Sequence, residues 1–63
     1  MKTLRYIAKF DPDHKNTFDQ RKKEVRIVGA YFDKNGDEYR KGFSFPKGTP
    51  EVEARELIPQ TID

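Results

Sequence analysis

The sequence has 63 residues, which predicts one small domain (1–63) and leaves no room for a second. It contains no cysteine, so the thin core of such a short chain must hold without disulfides, and a reducing, cytoplasmic setting is expected. Thirteen basic and eleven acidic residues give a net charge of +2, which permits a polyanionic partner without requiring one.

The N-terminal segment alternates between apolar and polar residues from Thr3 to Phe10. This period of two predicts a half-buried strand. The residues on its buried side would be Leu4, Tyr6, Ala8 and Phe10, and those on its other side Thr3, Arg5, Ile7 and Lys9. Asp11-Pro12 is expected to end the strand, because proline removes a backbone donor.

The segment from Asp13 to Lys22 is polar apart from Phe18 and predicts a long connection. Within it, Thr17 followed by Gln20 matches a capping box, so a single helical turn is one interpretation.

Two β-rich runs on either side of Asn35-Gly36 predict a hairpin, because these two residues tolerate the positive φ that hairpin turns need. The first strand is predicted from about Lys23 to Phe32 and the second from about Glu38 to Phe45. Gly29 and Gly42 weaken these strands, and each indicates a bulge or a close approach by another backbone.

Side-chain burial decides between two registers for this hairpin. A two-residue turn would pair Arg26 with Phe45 and bury a guanidinium against a ring. A three-residue loop, 34–36, places three aromatic or β-branched pairs on one face: Val25 with Phe45, Ile27 with Phe43, and Tyr31 with Tyr39. Since a shift of one residue turns every side chain of a strand over, we predict the three-residue loop.

The C-terminal part predicts a helix from Thr49 to Ile58. Thr49 suits the N-cap, Pro50 the first helical position, and acidic residues follow in the first turn. The residues expected on its apolar face, which would cover the aromatic side of the sheet, are Ala54, Leu57 and Ile58. Pro59 ends the helix, and residues 60–63 are expected to form a tail.

These elements predict an α+β fold, a three-stranded antiparallel β-sheet packed on one C-terminal α-helix. A small SH3-like barrel with a terminal helix is the alternative. We call the sheet surface away from the helix the outer face, and the other the helix-side face.

Catalytic and metal-binding patterns are absent from the sequence. His14 is the only histidine, and two nearby aspartates in a loop make a poor metal site. Asp33, Asn35 and Asp37 lack the bidentate glutamate of a calcium loop. There is neither a nucleophile elbow nor a phosphate-binding glycine-rich loop. We therefore expect a protein that is not an enzyme and that needs no metal or cofactor.

Basic side chains are expected on the outer face and beside it. Guanidinium groups match phosphate oxygens and guanine edges, so DNA or RNA is the expected partner. Glu24 and Glu38 share this face, and alternating charges are also typical of a solvated antiparallel sheet. The candidate nucleic-acid-binding residues are Arg5, Lys9, Arg21, Lys22, Lys23, Arg26, Arg40 and Lys41.

A longer pattern runs through residues 31–37 (YFDKNGD), 40–45 (RKGFSF) and 49–54 (TPEVEA). With its Asn-Gly turn, basic run, Gly-Phe pair and Thr-led helix, the segment from Val25 to Ile58 resembles the arm-type DNA-binding domains of phage and transposon tyrosine integrases and the related AP2-type domains. The resemblance implies a sheet backed by one helix and inserted into the major groove. It places Arg26, Arg40 and Lys41 on or beside the contact face, and it implies no catalytic residue.

A second function stays open from the sequence alone. A small accessory or inhibitor protein, for example one encoded by a phage, would dock on a host protein. A short sheet with an open edge can accept a strand from such a partner or from a second copy as a homodimer.

Overall fold

The structure is a computed structural model that describes residues 1–19 and 21–63. Its elements are β1 (Lys2–Lys15), β2 (Lys23–Phe32), β3 (Glu38–Pro46), α1 (Glu51–Leu57) and β4 (Thr61–Ile62). The strands form one antiparallel sheet in the order β3-β2-β1-β4. Within the described residues the sheet is open, as in the predicted α+β fold and unlike a barrel. The predicted capping box includes Gln20 and lies outside the described residues.

The hairpin of β2 and β3 has the predicted register. Val25 lies opposite Phe45, Ile27 lies opposite Phe43, and the pairing runs without a shift from the loop to Pro46. This register confirms the three-residue loop. A two-residue turn would instead place Arg26 opposite Phe45, whereas its observed partner is Ser44.

Hydrogen bonds to one carboxylate hold the loop between these strands. The Asp33 Oδ1 atom accepts the N–H of Asn35 at 2.8 Å and that of Asp37 at 3.0 Å. Gly36 has a φ of 85°, in the left-handed region that residues with a Cβ rarely adopt. The local sequence therefore fixes the loop, and the loop fixes the register.

The core lies between α1 and the helix-side face. Ile27 and Ala54 are completely buried, and Ile58 is almost so. The apolar residues packed around them are Leu4, Ile7, Phe10, Phe43 and Phe45. Tyr31, which is also buried, donates its hydroxyl to the Pro59 carbonyl at 2.6 Å. Since a helix of two turns is marginal alone, these contacts hold α1 on the sheet.

Strand β1 is longer than predicted. It continues through Asp11 and Pro12 to Lys15 instead of ending at Phe10. Pro12 falls where the register shifts between Asp11 and His14, and proline is tolerated at such irregularities. Further shifts lie between Leu4 and Tyr6 and between Ile7 and Lys9.

These shifts overturn the predicted faces of β1. An extra residue in one strand turns the following side chains to the opposite face. Ile7, expected on the outer face, packs against the core, whereas Tyr6, expected to be buried, is 46% exposed and lies against Phe32. The prediction that Leu4, Tyr6, Ala8 and Phe10 share one face was wrong, because it assumed an uninterrupted ladder.

The C-terminal elements also differ from the prediction. The N-cap of α1 is Pro50, without a side-chain hydrogen bond, and the Thr49 hydroxyl donates to the Pro46 carbonyl at 2.7 Å instead. Leu57 is 57% exposed, so of the predicted apolar face only Ala54 and Ile58 are buried. The helix ends at Leu57 and Ile58 already has extended backbone, so the three residues do not lie on one helical face.

The predicted tail contains the short strand β4. Lys2 lies opposite Ile62 and Thr3 opposite Thr61, and the Leu4 N–H donates to the Gln60 carbonyl at 2.8 Å. A strand of two residues is too short to show an alternating apolar pattern in the sequence, so it could not be predicted. It forms because Pro59 and the docked helix bring residues 61–62 alongside β1.

We expect Tyr31→Phe to lower the free energy of unfolding by about 0.5–1.5 kcal/mol, because the Pro59 carbonyl loses its donor while the ring stays packed. Tyr39→Phe is the matched control, since the Tyr39 side chain is 42% exposed and water can replace its hydrogen bond. Urea unfolding followed by circular dichroism measures both. Equal effects of the two substitutions would contradict the role assigned to the Tyr31 hydroxyl.

The pKa of Asp33 is lowered from its usual 3.8, chiefly by the hydrogen bond from the Asp37 backbone. A depressed pKa in the folded state adds stability that is present above the unfolded pKa and lost as the pH falls through the folded pKa. We therefore expect the stability advantage of the wild type over Asp33→Asn to shrink on acidification below pH 3.8. Urea unfolding across the acid range measures this advantage, and a constant difference would contradict the prediction.

Candidate nucleic-acid interface

The outer face is left uncovered by the elements described, because α1 packs on the other side of the sheet. Cross-strand partners point to the same side, so the register assigns its members. The outer-face residues of β2 are Glu24, Arg26, Val28, Ala30 and Phe32; those of β3 are Glu38, Arg40, Gly42 and Ser44; and their partners in β1 include Tyr6, Lys9 and Asp11.

Two aromatic rings lie side by side on this face. The ring centroids of Tyr6 and Phe32 are 6.2 Å apart, and the Arg5 guanidinium lies 5.8 Å from the Phe32 centroid. The Tyr6 hydroxyl donates to the carboxylate of Glu38, which fixes the position of its ring. This group offers exposed aromatic surface beside a positive charge, a combination that suits bases and phosphates.

The guanidinium of Arg26 lies over Gly42 in the neighbouring strand. A Cβ atom at Gly42 would lie 2.4 Å from the Arg26 Nη2 atom, so the missing side chain makes room for the guanidinium. The sequence predicted a bulge or another backbone here, whereas the group that approaches is a side chain. At Gly29 the close neighbour is likewise a side chain, the Tyr31 ring.

The acidic residues of the outer face have partners within the protein. Glu38 lies 3.8 Å from Arg40 and accepts the Tyr6 hydroxyl. Glu24 accepts the Ser44 hydroxyl at 3.3 Å. Asp11 lies 3.7 Å from the ring of His14 and also accepts a backbone N–H. These carboxylates are therefore held in local contacts.

Most basic residues of the face are not held in this way. Among the described residues, none of the ion pairs involves Arg5, Lys9 or Arg26, and only Arg40 is paired. Three cations can thus approach a bound phosphate without first breaking an ion pair.

The structure brings together half of the eight residues predicted to bind nucleic acid. Arg5, Lys9, Arg26 and Arg40 share the outer face, as described above. The run 21–23 lies at the end of the sheet where β1 connects to β2, with Lys23 opposite Lys15. Lys41 lies on the helix-side face, where its Nζ atom is 5.7 Å from the Phe43 centroid.

Tyr6 is the outer-face residue that the sequence analysis missed. Its place depends on the shift between Leu4 and Tyr6, which arises from pairing with β2. Nothing local in the sequence marks this position, since the apolar alternation continues through it.

Other surfaces offer less chemistry. A cleft of about 560 Å³ beside β1 is lined by Leu4, Arg5, Tyr6, Ile7, Arg55 and Gln60. In this cleft Arg55 is already bonded to Glu51 at 3.0 Å. The described residues contain no group of three or more side chains suited to a metal ion. None of their helices is long and apolar enough to cross a membrane.

Comparisons with protein-family models, with curated proteins and with solved structures found no match to this chain. The class that the structure defines is a small open-sheet α+β fold with one uncovered face, which carries aromatic rings and charges of both signs.

We expect Gly42→Ala to move the Arg26 guanidinium while changing the free energy of unfolding by less than about 0.5 kcal/mol, because the end of a flexible side chain can shift. Gly29→Ala is the contrasting variant: its Cβ would lie 2.8 Å from the buried Tyr31 ring. Overpacking of this kind costs about 1–3 kcal/mol.

Urea unfolding measures both energies, and the NMR signal of the Arg26 Nε–H reports the movement. An unchanged Arg26 signal in Gly42→Ala would contradict the contact.

Proposed function

We propose that this protein is a small non-enzymatic module that binds nucleic acid through the outer face of its sheet. The observation that carries the proposal is the placement of three cations around the exposed Tyr6 ring and the partly buried Phe32 ring. These cations, Arg5, Lys9 and Arg26, form no ion pair among the described residues.

The cations of the face supply the part of the affinity that is independent of sequence. Arg5, Lys9 and Arg26 contact phosphates directly, and Arg40 joins them when it exchanges Glu38 for a phosphate. With four phosphates neutralised, the logarithm of the affinity falls with the logarithm of salt concentration at a slope of about −3.6 on duplex DNA or about −2.8 on a single strand.

The aromatic pair favours single-stranded nucleic acid. Unpaired bases can stack on Tyr6 and Phe32, and such stacking contributes about 1–3 kcal/mol per base. In a duplex the bases are stacked on one another, so this contribution is lost and only phosphates and groove edges remain. The family resemblance implies insertion of the sheet into a major groove, and a comparison of the two substrates separates these modes.

The test uses two triple variants that remove the same charge. Arg5→Gln/Lys9→Gln/Arg26→Gln alters the outer face, whereas the control Lys34→Gln/Lys41→Gln/Lys47→Gln alters exposed cations that lie off this face. Fluorescence anisotropy with a labelled oligothymidine and with a duplex of equal length, over a range of salt, gives affinities and slopes. We expect the outer-face variant to bind weakly, with a salt slope on the single strand smaller by about 2. The control should bind nearly as well as the wild type.

Two results would contradict the proposal. Equal losses in both triple variants would show that net charge alone attracts the oligonucleotide. A wild-type protein that binds neither substrate at low ionic strength would exclude nucleic acid as the partner.

Tyr6→Ala should reduce binding to the single strand more than to the duplex, and Tyr6→Phe, which keeps the ring, is its control.

A second candidate function is protein binding by strand addition, which would suit an accessory or inhibitor protein. It is favoured by one observation: β3 is the terminal strand of the sheet and pairs with β2 through nine consecutive positions. For this function the outer-face triple variant should leave partner binding unchanged, whereas a change in the β3 backbone should abolish it.

A further inference from the structure

We propose that β3 pairs antiparallel with β3 of a second copy of this chain, in a register centred on Gly42. The proposal does not depend on nucleic-acid binding. It starts from the order β3-β2-β1-β4, in which β3 has a neighbour on one side only.

The hydrogen-bond pattern shows which backbone groups of β3 face outward. The Asp33 N–H donates to the Asp37 carbonyl at 3.2 Å, so these two residues form a hydrogen-bonded pair. Bonded and non-bonded pairs alternate along an antiparallel ladder, so residues 39, 41, 43 and 45 bond to β2. The outward N–H and C=O groups therefore belong to Glu38, Arg40, Gly42 and Ser44.

The two open edges of the sheet differ in their protection against added strands. At the edge opposite β3, β4 covers Lys2 and Thr3 of β1. The rest of β1 has three register shifts and contains Pro12, features that discourage strand addition. β3 pairs with β2 without a shift, and its one proline is Pro46 at its last position. The nitrogen of Pro46 points away from β2, as the N–H groups of Glu38, Arg40, Gly42 and Ser44 do. Because proline has no N–H, the outward-facing donors end at Ser44, and no hydrogen bond to β2 is lost. The β3 edge is thus the better template.

Charge selects one register for two antiparallel copies. A two-fold axis at Arg40 would set this residue opposite its own copy, and an axis at Lys41 would do the same with two ammonium groups. Like charges directly opposite each other are destabilising. An axis at Gly42 sets no charged side chain of β3 opposite its own copy and overlaps all of β3, with Glu38 opposite Pro46. The Arg26 guanidinium reaches over Gly42 from β2, so in this register the two guanidiniums turn away from the axis. An axis placed between Gly42 and Pro46 would pair fewer residues of the two β3 strands, because Gly42 is the midpoint of β3.

The outer face is complementary in this register. Arg40 lies opposite Ser44 of the second copy, and the Ser44 hydroxyl donates to Glu24 at 3.3 Å. The guanidinium therefore meets a carboxylate across the interface, and the two-fold axis makes this contact twice.

The helix-side face is complementary as well. Lys41 lies opposite Phe43 of the second copy, which repeats the contact that its Nζ already makes with its own Phe43 at 5.7 Å. Tyr39, 42% exposed in the single chain, lies opposite Phe45 of the second copy. Aromatic cross-strand pairs of this kind are among those that stabilise sheets.

The dimer would join two four-stranded sheets into one continuous sheet. Because the two-fold axis is perpendicular to the sheet, both outer faces lie on the same side. Self-association thus doubles the uncovered surface, while Arg40 of each copy is engaged at the interface.

Cysteine cross-linking tests the register, since the chain has no cysteine of its own. Opposite residues of a hydrogen-bonded pair are about 5.5 Å apart at Cα, within the range of a disulfide. We expect a mixture of tagged Arg40→Cys with untagged Ser44→Cys to form the mixed disulfide under mild oxidation. Each variant alone should remain mostly reduced. Disulfides between two Arg40→Cys chains or two Ser44→Cys chains as the main product would overturn the register.

Sedimentation equilibrium tests the association itself. The wild type should approach twice the monomer mass of 7.4 kDa as its concentration rises. Ser44→Pro removes an outward N–H and no bond to β2, so it should shift the dissociation constant upward at least about tenfold, the effect of losing about 1.4 kcal/mol. Ser44→Ala keeps the N–H and should dimerise like the wild type.

A wild type that stays monomeric at millimolar concentration, or a dimer that Ser44→Pro leaves intact, would overturn the proposal. Circular dichroism shows whether Ser44→Pro folds. If it does not, the cross-linking pattern of the two cysteine variants decides alone.

Discussion

The loop from Asp33 to Asp37 sets the direction of every side chain in β2 and β3. Its carboxylate accepts two backbone N–H groups, and Gly36 supplies the left-handed conformation that closes the turn. Because side chains alternate along a strand, a shift of one residue would expose Ile27 and place Arg26 under the helix. The buried core and the basic outer face are therefore two consequences of one turn.

The register shifts in β1 are the second constraint on the outer face. They let Leu4, Ile7 and Phe10, three residues apart, all pack against the core. The same shifts deliver Tyr6 to the opposite side, where it contacts Phe32 and Glu38. A regular strand would have buried this ring and left the face with charges and only one aromatic side chain, so the irregularity of β1 creates the surface to which we assign stacking.

Much of the fold could be predicted from local chemistry, because turns and strand periods act over a few residues. The Asn35-Gly36 turn and the apolar pairs of β2 and β3 determined the register, and the same parity puts Lys41 on the helix-side face. The shifts in β1 could not be predicted, since they depend on a partner strand far along the chain. The exposure of Leu57 also follows from where the short helix docks, which its own sequence does not specify.

The most direct test of this account is the pattern of NMR contacts across the hairpin. In non-hydrogen-bonded antiparallel pairs the Cα atoms approach to about 4.5 Å, so their Hα atoms give strong nuclear Overhauser effects. The account predicts such effects between Val28 and Gly42 and between Ala30 and Arg40. Effects between Tyr31 and Arg40 and between Gly29 and Gly42 in their place would show the two-residue turn, since these are the non-hydrogen-bonded pairs of that register. The helix-side face would then carry Arg26.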